Sequence, residues 1–100
     1  MPKVTLKLPS WIAAKLDMNS SGWLTLEKEV AESTTINDFL LGMVAAYPGF
    51  REAVYNPDTG LPIEQLNFVL NNRLLTYREM SEIKLSNGDT VILIPLYTGG

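Results

Sequence analysis

A chain of 100 residues, 46% hydrophobic and 19% charged, has room for one domain with one core and is too apolar for a disordered tail. It contains no Cys and no His, which excludes disulfide scaffolds, Cys/His zinc sites, thiol nucleophiles and Ser–His–Asp triads. Eight basic residues against eleven acidic ones give a net charge of −3, with no basic cluster to hold nucleic acid; the balance points to a carrier, adaptor or binding module rather than an enzyme.

Residues 4–8 alternate, with Val4, Leu6 and Leu8 on one face and Thr5 and Lys7 on the other, the pattern of a half-buried strand. Pro9 ends it. Residues 9–22 read as a long connection in which Ile12, Ala13 and Leu16 make one helical turn, with Trp11 as a lid over the core edge. Residues 23–30 alternate again, with Leu24, Leu26 and Val30 inward and Thr25, Glu27 and Glu29 on a solvated face. This second strand is expected to run antiparallel to the first.

The clearest helix lies within residues 34–47. Thr35 is a suitable N-cap, with Asp38 three residues on at the positive end of the helix dipole. Ile36, Phe39, Leu40, Met43, Val44 and Tyr47 form an apolar stripe at helical spacing, and Pro48-Gly49 stops the helix. Residues 50–55 suggest a short helical turn, and residues 56–60 (Asn-Pro-Asp-Thr-Gly) a loop turn. Residues 66–70 read as a strand, with Asn71-Asn72 turning it into Arg73-Leu74-Leu75 as a tight hairpin. Asn87-Gly88-Asp89 is a further turn, and residues 90–96 form the last strand.

The order is strand, strand, helix, strand, strand, strand. A single amphipathic helix has one stripe to bury, so it packs across one face of a mixed sheet. The expected fold class is α+β, a β-grasp covering residues 1–95, followed by a flexible Gly-Gly tail at 96–100.

The last strand is apolar on both faces. Val91 and Leu93 point one way, Ile92 and Ile94 the other. The helix covers one face. The other is covered either by the 9–22 loop or by a partner, which makes Ile92 and Ile94, with Leu96, candidate partner-binding residues. The longest uncharged apolar run, Val91 to Tyr97, is too short to span a bilayer, and no signal peptide is evident; the expectation is a cytoplasmic protein with no membrane partner.

The sequence closes on Tyr97-Thr98-Gly99-Gly100. Glycine has no Cβ, so such a segment is slender and conformationally permissive. It suits threading into a narrow tunnel and leaves the Gly100 carboxylate open to attack. On the glycines alone an inert chain end is the stronger reading.

The order and spacing of several motifs change that balance. Lys3-Val4-Thr5-Leu6 opens the chain. Thr35-Ile36-Asn37-Asp38-Phe39-Leu40-Leu41 starts the helix, and Tyr47-Pro48-Gly49-Phe50 ends it. Leu66-Asn67-Phe68-Val69-Leu70-Asn71, Gly88-Asp89-Thr90-Val91 and the stretch Pro95 to Gly100 follow. Together they resemble the ubiquitin-like sulfur carriers of the MoaD/ThiS group, above all MoaD-like small subunits of molybdopterin synthase. The resemblance implies a β-grasp fold. It implies that an E1-like adenylating enzyme, using ATP and magnesium, activates the carboxylate of Gly100, and that sulfur then replaces one oxygen to give a thiocarboxylate. The tail residues Gly99, Thr98 and Tyr97 would thread into partner enzymes. The acceptor would be an enzyme such as the large subunit of molybdopterin synthase, which holds the catalytic groups; the carrier itself binds no permanent cofactor and no metal. Leu96 replaces the family's second proline, Tyr97 its usual valine, and Ile94 a frequent aromatic. These departures fall where partners touch, so carriers for thiamin or cysteine synthesis, and modifiers conjugated to lysines, remain alternatives.

Overall fold

The structure is a computed structural model that describes residues 2–16, 22–63 and 66–95. Strand β1 (Lys3–Leu8) is followed by helix α1 (Ser10–Lys15), strand β2 (Leu24–Glu29), helices α2 (Ile36–Ala46) and α3 (Pro48–Val54), strands β3 (Leu66–Leu70) and β4 (Arg73–Leu74), helix α4 (Tyr77–Glu82) and strand β5 (Thr90–Pro95). The five strands form one sheet in the order β2-β1-β5-β3-β4. β1 and β5 are parallel, and every other pair is antiparallel. This is the expected β-grasp: β5 runs through the middle, and the first hairpin lies to one side of it.

Alternation in the strands puts Val4, Leu6, Leu8, Leu66, Phe68, Leu70, Val91 and Leu93 on the same side of the sheet, all buried. The helices cover that side. α2 contributes Ile36, Phe39, Leu40 and Met43 to the shared core, as its stripe predicts, and Val44 and Tyr47 pack at the margin. The Thr35 hydroxyl accepts the Asp38 N–H at 3.1 Å, which caps the helix as expected.

Three short helices flank α2. α1 holds Ile12 and Ala13 against the core. Trp11 lies on this helix and is 38% exposed, so the lid expected there is made by Ile12, Ala13 and Leu16 instead. Pro48 does end α2, but it also begins α3, since its missing N–H is no loss at a first helical position. α4 is absent from the sequence-based order. The Thr76 side chain accepts from Glu79 N–H and the Glu79 carboxylate accepts from Thr76 N–H, a capping box, and Met80 is the residue α4 buries.

The predicted turns are present. Asn71 and Asn72 both have positive φ, 48° and 70°, the geometry of a two-residue hairpin whose twist matches its strands. Asn71 also ties this hairpin to the 87–89 turn: its Nδ2 donates to Asp89 Oδ1 at 2.8 Å and its Oδ1 accepts from Thr90 N–H at 2.9 Å.

Candidate functional site

The face of the sheet away from the helices divides in two. On β1 and β2 it is polar and charged, with Lys3 opposite Glu29, Thr5 opposite Glu27 and Lys7 opposite Thr25. Glu27 and Glu29 are exposed, and Lys3 Nζ lies 4.0 Å from Glu27. On β5, β3 and β4 the same face turns apolar. Ile92 stands opposite Val69, and Val69 opposite Leu74. Residues directly opposite in a sheet have Cβ atoms about 5 Å apart, so these three form a continuous row across three strands.

Ile94 extends the row along β5, with Asn67 as its cross-strand neighbour. Ile94 is 36% exposed and Leu74 59% exposed, while Val91 and Leu93 between them are fully buried on the other side. Ile92 is half-buried. Lys7, the parallel neighbour of Ile92 on β1, borders the apolar row with a positive charge. Sequence alternation identified Ile92 and Ile94. It did not bring in Val69 and Leu74, whose place follows from the register of the Asn71-Asn72 hairpin.

The described chain leaves this face at Pro95, the partner of Leu66 in the ladder. The remaining sequence-predicted site residues, Leu96, Tyr97, Thr98, Gly99 and Gly100, lie outside the described residues. Near the far edge, Arg73 pairs with Glu79. The Glu79 carboxyl is held below the usual glutamate range, first by the Thr76 backbone N–H, then by the Thr76 hydroxyl and the Arg73 charge. Among the described residues no three acidic side chains converge as a metal site, and no helix is long and apolar enough to cross a membrane.

A five-stranded mixed sheet with helices on one face is the β-grasp architecture of small ubiquitin-like proteins. The model of the ThiS family matches residues 17–100, and the chain belongs to this family of ubiquitin-like sulfur carriers and modifiers. Family members work with E1-like activating enzymes and acceptor enzymes.

Among solved structures, the fold is similar to SAMP1 from Haloferax volcanii, with a TM-score of 0.74 and 23% identity over 98% of this chain and 99% of that one. It is also similar to a putative molybdopterin converting factor, subunit 1, from Pyrococcus furiosus, with a TM-score of 0.66 and 20% identity over 97% of this chain and 100% of that one. CysO from Mycobacterium tuberculosis aligns with a TM-score of 0.69 and 18% identity over 94% of this chain and 99% of that one. No curated protein sequence matches significantly.

Proposed function

We propose that this protein is a cytoplasmic sulfur carrier acting through the α-carboxylate of Gly100 in molybdopterin synthesis. The observation that carries the reading is the family match, which runs through Gly99 and Gly100. A carboxylate is a poor electrophile, so an E1-like enzyme first joins it to AMP from ATP with magnesium, releasing pyrophosphate. A sulfide-level nucleophile then attacks the acyl carbon; the C–S bond forms, the bond to AMP breaks, and a thiocarboxylate remains. The row of Ile92, Ile94, Val69 and Leu74 supplies an apolar face for the enzymes that receive the tail. Gly99, Thr98 and Tyr97 thread toward the reacting centre, with Leu96 at the rim.

Incubation with the cognate adenylating enzyme, ATP, magnesium and a sulfur donor should add the mass of one oxygen-to-sulfur exchange, mapped to Gly100. The loaded form should then transfer sulfur to the large subunit of molybdopterin synthase. Deleting Gly100 should abolish the gain; sulfur loading of the shortened protein would overturn the reading. Transfer only to acceptors of thiamin or cysteine synthesis would keep the carrier role and change the pathway.

The likeness to SAMP1, small archaeal modifier protein 1, supports a second reading, a modifier joined to lysines by an isopeptide bond. A ladder of conjugates surviving denaturation and reducing agent would favour it.

A further inference from the structure

β2 is an edge of the sheet, with β1 on its inner side and no strand on its outer side among the described residues. Val30 N–H donates to Pro2 C=O at 2.9 Å, in phase with the pairing of Val4 and Lys28. Bonded pairs in an antiparallel ladder recur at every second residue, so Leu24, Leu26 and Lys28 turn their backbone groups toward β1. Thr25, Glu27 and Glu29 turn theirs outward, and those N–H and C=O groups have no partner among the described residues. Glu27 and Glu29 lie in the half of β2 farther from Gly22, which precedes the strand. An open edge of this kind is a template for a further strand.

The side chains along this edge set the charge of its neighbour. On the open face the rows run from Ile92 on β5 to Lys3 and Lys7 on β1 and then to Glu27 and Glu29 on β2. Lys3 Nζ lies 4.0 Å from Glu27, and Glu29 has no ion-pair partner among the described residues. On the helix side, a hollow of about 290 Å³ lies between the end of β2 and α2. Val30, Phe39 and Met43 give it apolar lining, and Asp38, which is exposed and also without an ion-pair partner among the described residues, stands beside them. Lys28, on this side of β2, is held by Tyr47: its Nζ donates to the hydroxyl at 3.2 Å and lies 5.2 Å from the ring centroid. A strand laid against β2 therefore meets carboxylates on both faces. A second copy of β2 would set one row of glutamates against another, and like charges across strands destabilise the pairing.

We infer that the outer edge of β2 takes an extended basic segment of a partner protein as an antiparallel sixth strand. Thr25, Glu27 and Glu29 each offer a donor and an acceptor, which an antiparallel partner uses together, and that pairing is the more stable per residue. Lys or Arg opposite Glu27 and Glu29 makes cross-strand ion pairs on the open face. A further Lys opposite Val30 lays its aliphatic stem in the hollow and brings its charge toward Asp38. The added strand lies about 14 Å, three strand spacings, from β5, and β1 and β2 separate it from the Ile92 row. The segment can therefore bind while that row is covered. The binding does not depend on the carrier reading.

The test is titration of the isotope-labelled full chain with a synthetic peptide, acetyl-Lys-Lys-Thr-Lys-Val-Thr-Val-amide, followed by NMR at low salt. The Thr25, Glu27 and Glu29 amides should shift, and their hydrogen exchange should slow on binding. A peptide N-methylated at the residues opposite Glu27 and Glu29 should not bind, nor should one with Glu in place of each Lys. The double variant Glu27→Lys, Glu29→Lys should weaken binding about tenfold or more and should take up the Glu peptide instead. Glu52→Lys with Glu82→Lys changes net charge equally at exposed helical positions and should leave binding within about twofold. An otherwise unaltered spectrum verifies that each variant folds. The inference is overturned if millimolar peptide leaves the three amides unperturbed, if the shifts fall around Ile94 instead, or if the N-methylated or Glu peptide binds equally well. Equal weakening by the Glu52 and Glu82 pair would overturn it too, by reducing the effect to net charge. So would concentration-dependent protection of the three amides without peptide, which assigns the edge to a second copy of the chain.

Discussion

A Cβ on Gly49 would lie 1.8 Å from the carbonyl oxygen of Lys15. The start of α3 therefore rests on the backbone that ends α1, with space for a hydrogen and nothing larger. On helix propensity alone, Gly49→Ala gains about 1 kcal/mol. The contact reverses the sign, because a backbone carbonyl cannot swing aside as a side-chain tip does, and overpacking of this kind costs about 1–3 kcal/mol. Urea unfolding should show the variant less stable than the parent; a more stable variant would mean that α1 is not seated on α3.

Leu93 and Ile94 are neighbours with opposite fates. Leu93 is fully buried and Ile94 is 36% exposed. Leu93→Asp should abolish the cooperative thermal transition, since an unpaired carboxylate in the core costs several kcal/mol or about the whole stability of a small domain. Ile94→Asp should move stability by about 0.5 kcal/mol or less. Under the carrier reading it should raise the KM of the adenylating enzyme for the protein with little change in kcat. Equal unfolding of both variants would show that the face around Ile94 is not free.

Under the carrier reading, Gly99→Val should impair sulfur loading, because a β-branched side chain would crowd a narrow tunnel and stiffens χ1. The core cluster is built from residues between Val4 and Leu93, so the melting temperature should stay that of the parent. Undiminished loading of this variant, measured by intact mass, would rule out a tight tunnel at that position.

The lowered Glu79 carboxyl gives stability a defined pH dependence. The contribution is fully present above the unfolded value, about 4.3, and is lost as pH falls through the lower folded value. Glu79→Gln should flatten that part of the acid limb. Thr76→Ala removes the hydroxyl that caps α4, which should cost about 1 kcal/mol and move the Glu79 titration, followed by NMR, part of the way back toward the ordinary value.

The Tyr55 hydroxyl is buried with no hydrogen-bond partner among the described residues. Burial, then the charge of Tyr77, raises its pKa. Tyr55→Phe keeps the ring and removes the unpaired hydroxyl, so thermal unfolding should show equal stability or a gain of about 1 kcal/mol. A marked loss would reveal a bond made by that hydroxyl.

Local signals account for what the sequence made legible. α2 has a stripe of apolar residues with a capping side chain in front of it, and Asn71-Asn72 supplies the positive φ values its hairpin needs. β5 shows its central position through apolar residues on both faces. α4 has six residues and buries one of them, Met80, so it has no stripe to see; its signal was the Thr76 to Glu79 spacing. Ile92 and Ile94 were visible from alternation within one strand. Val69 and Leu74 join them only through pairing between strands.

The parallel pairing of β1 with β5 joins residues 3–8 to residues 90–95, which has a consequence for synthesis. While the chain is being made, β1 has β2 on one side and an open edge on the other until β5 emerges from the ribosome. Pairings this distant in sequence form late and slowly. The sheet therefore closes only when the strand adjoining the glycines has been translated. A chain stopped before residue 90 lacks β5, the strand that joins β1 to β3, and so cannot close the sheet.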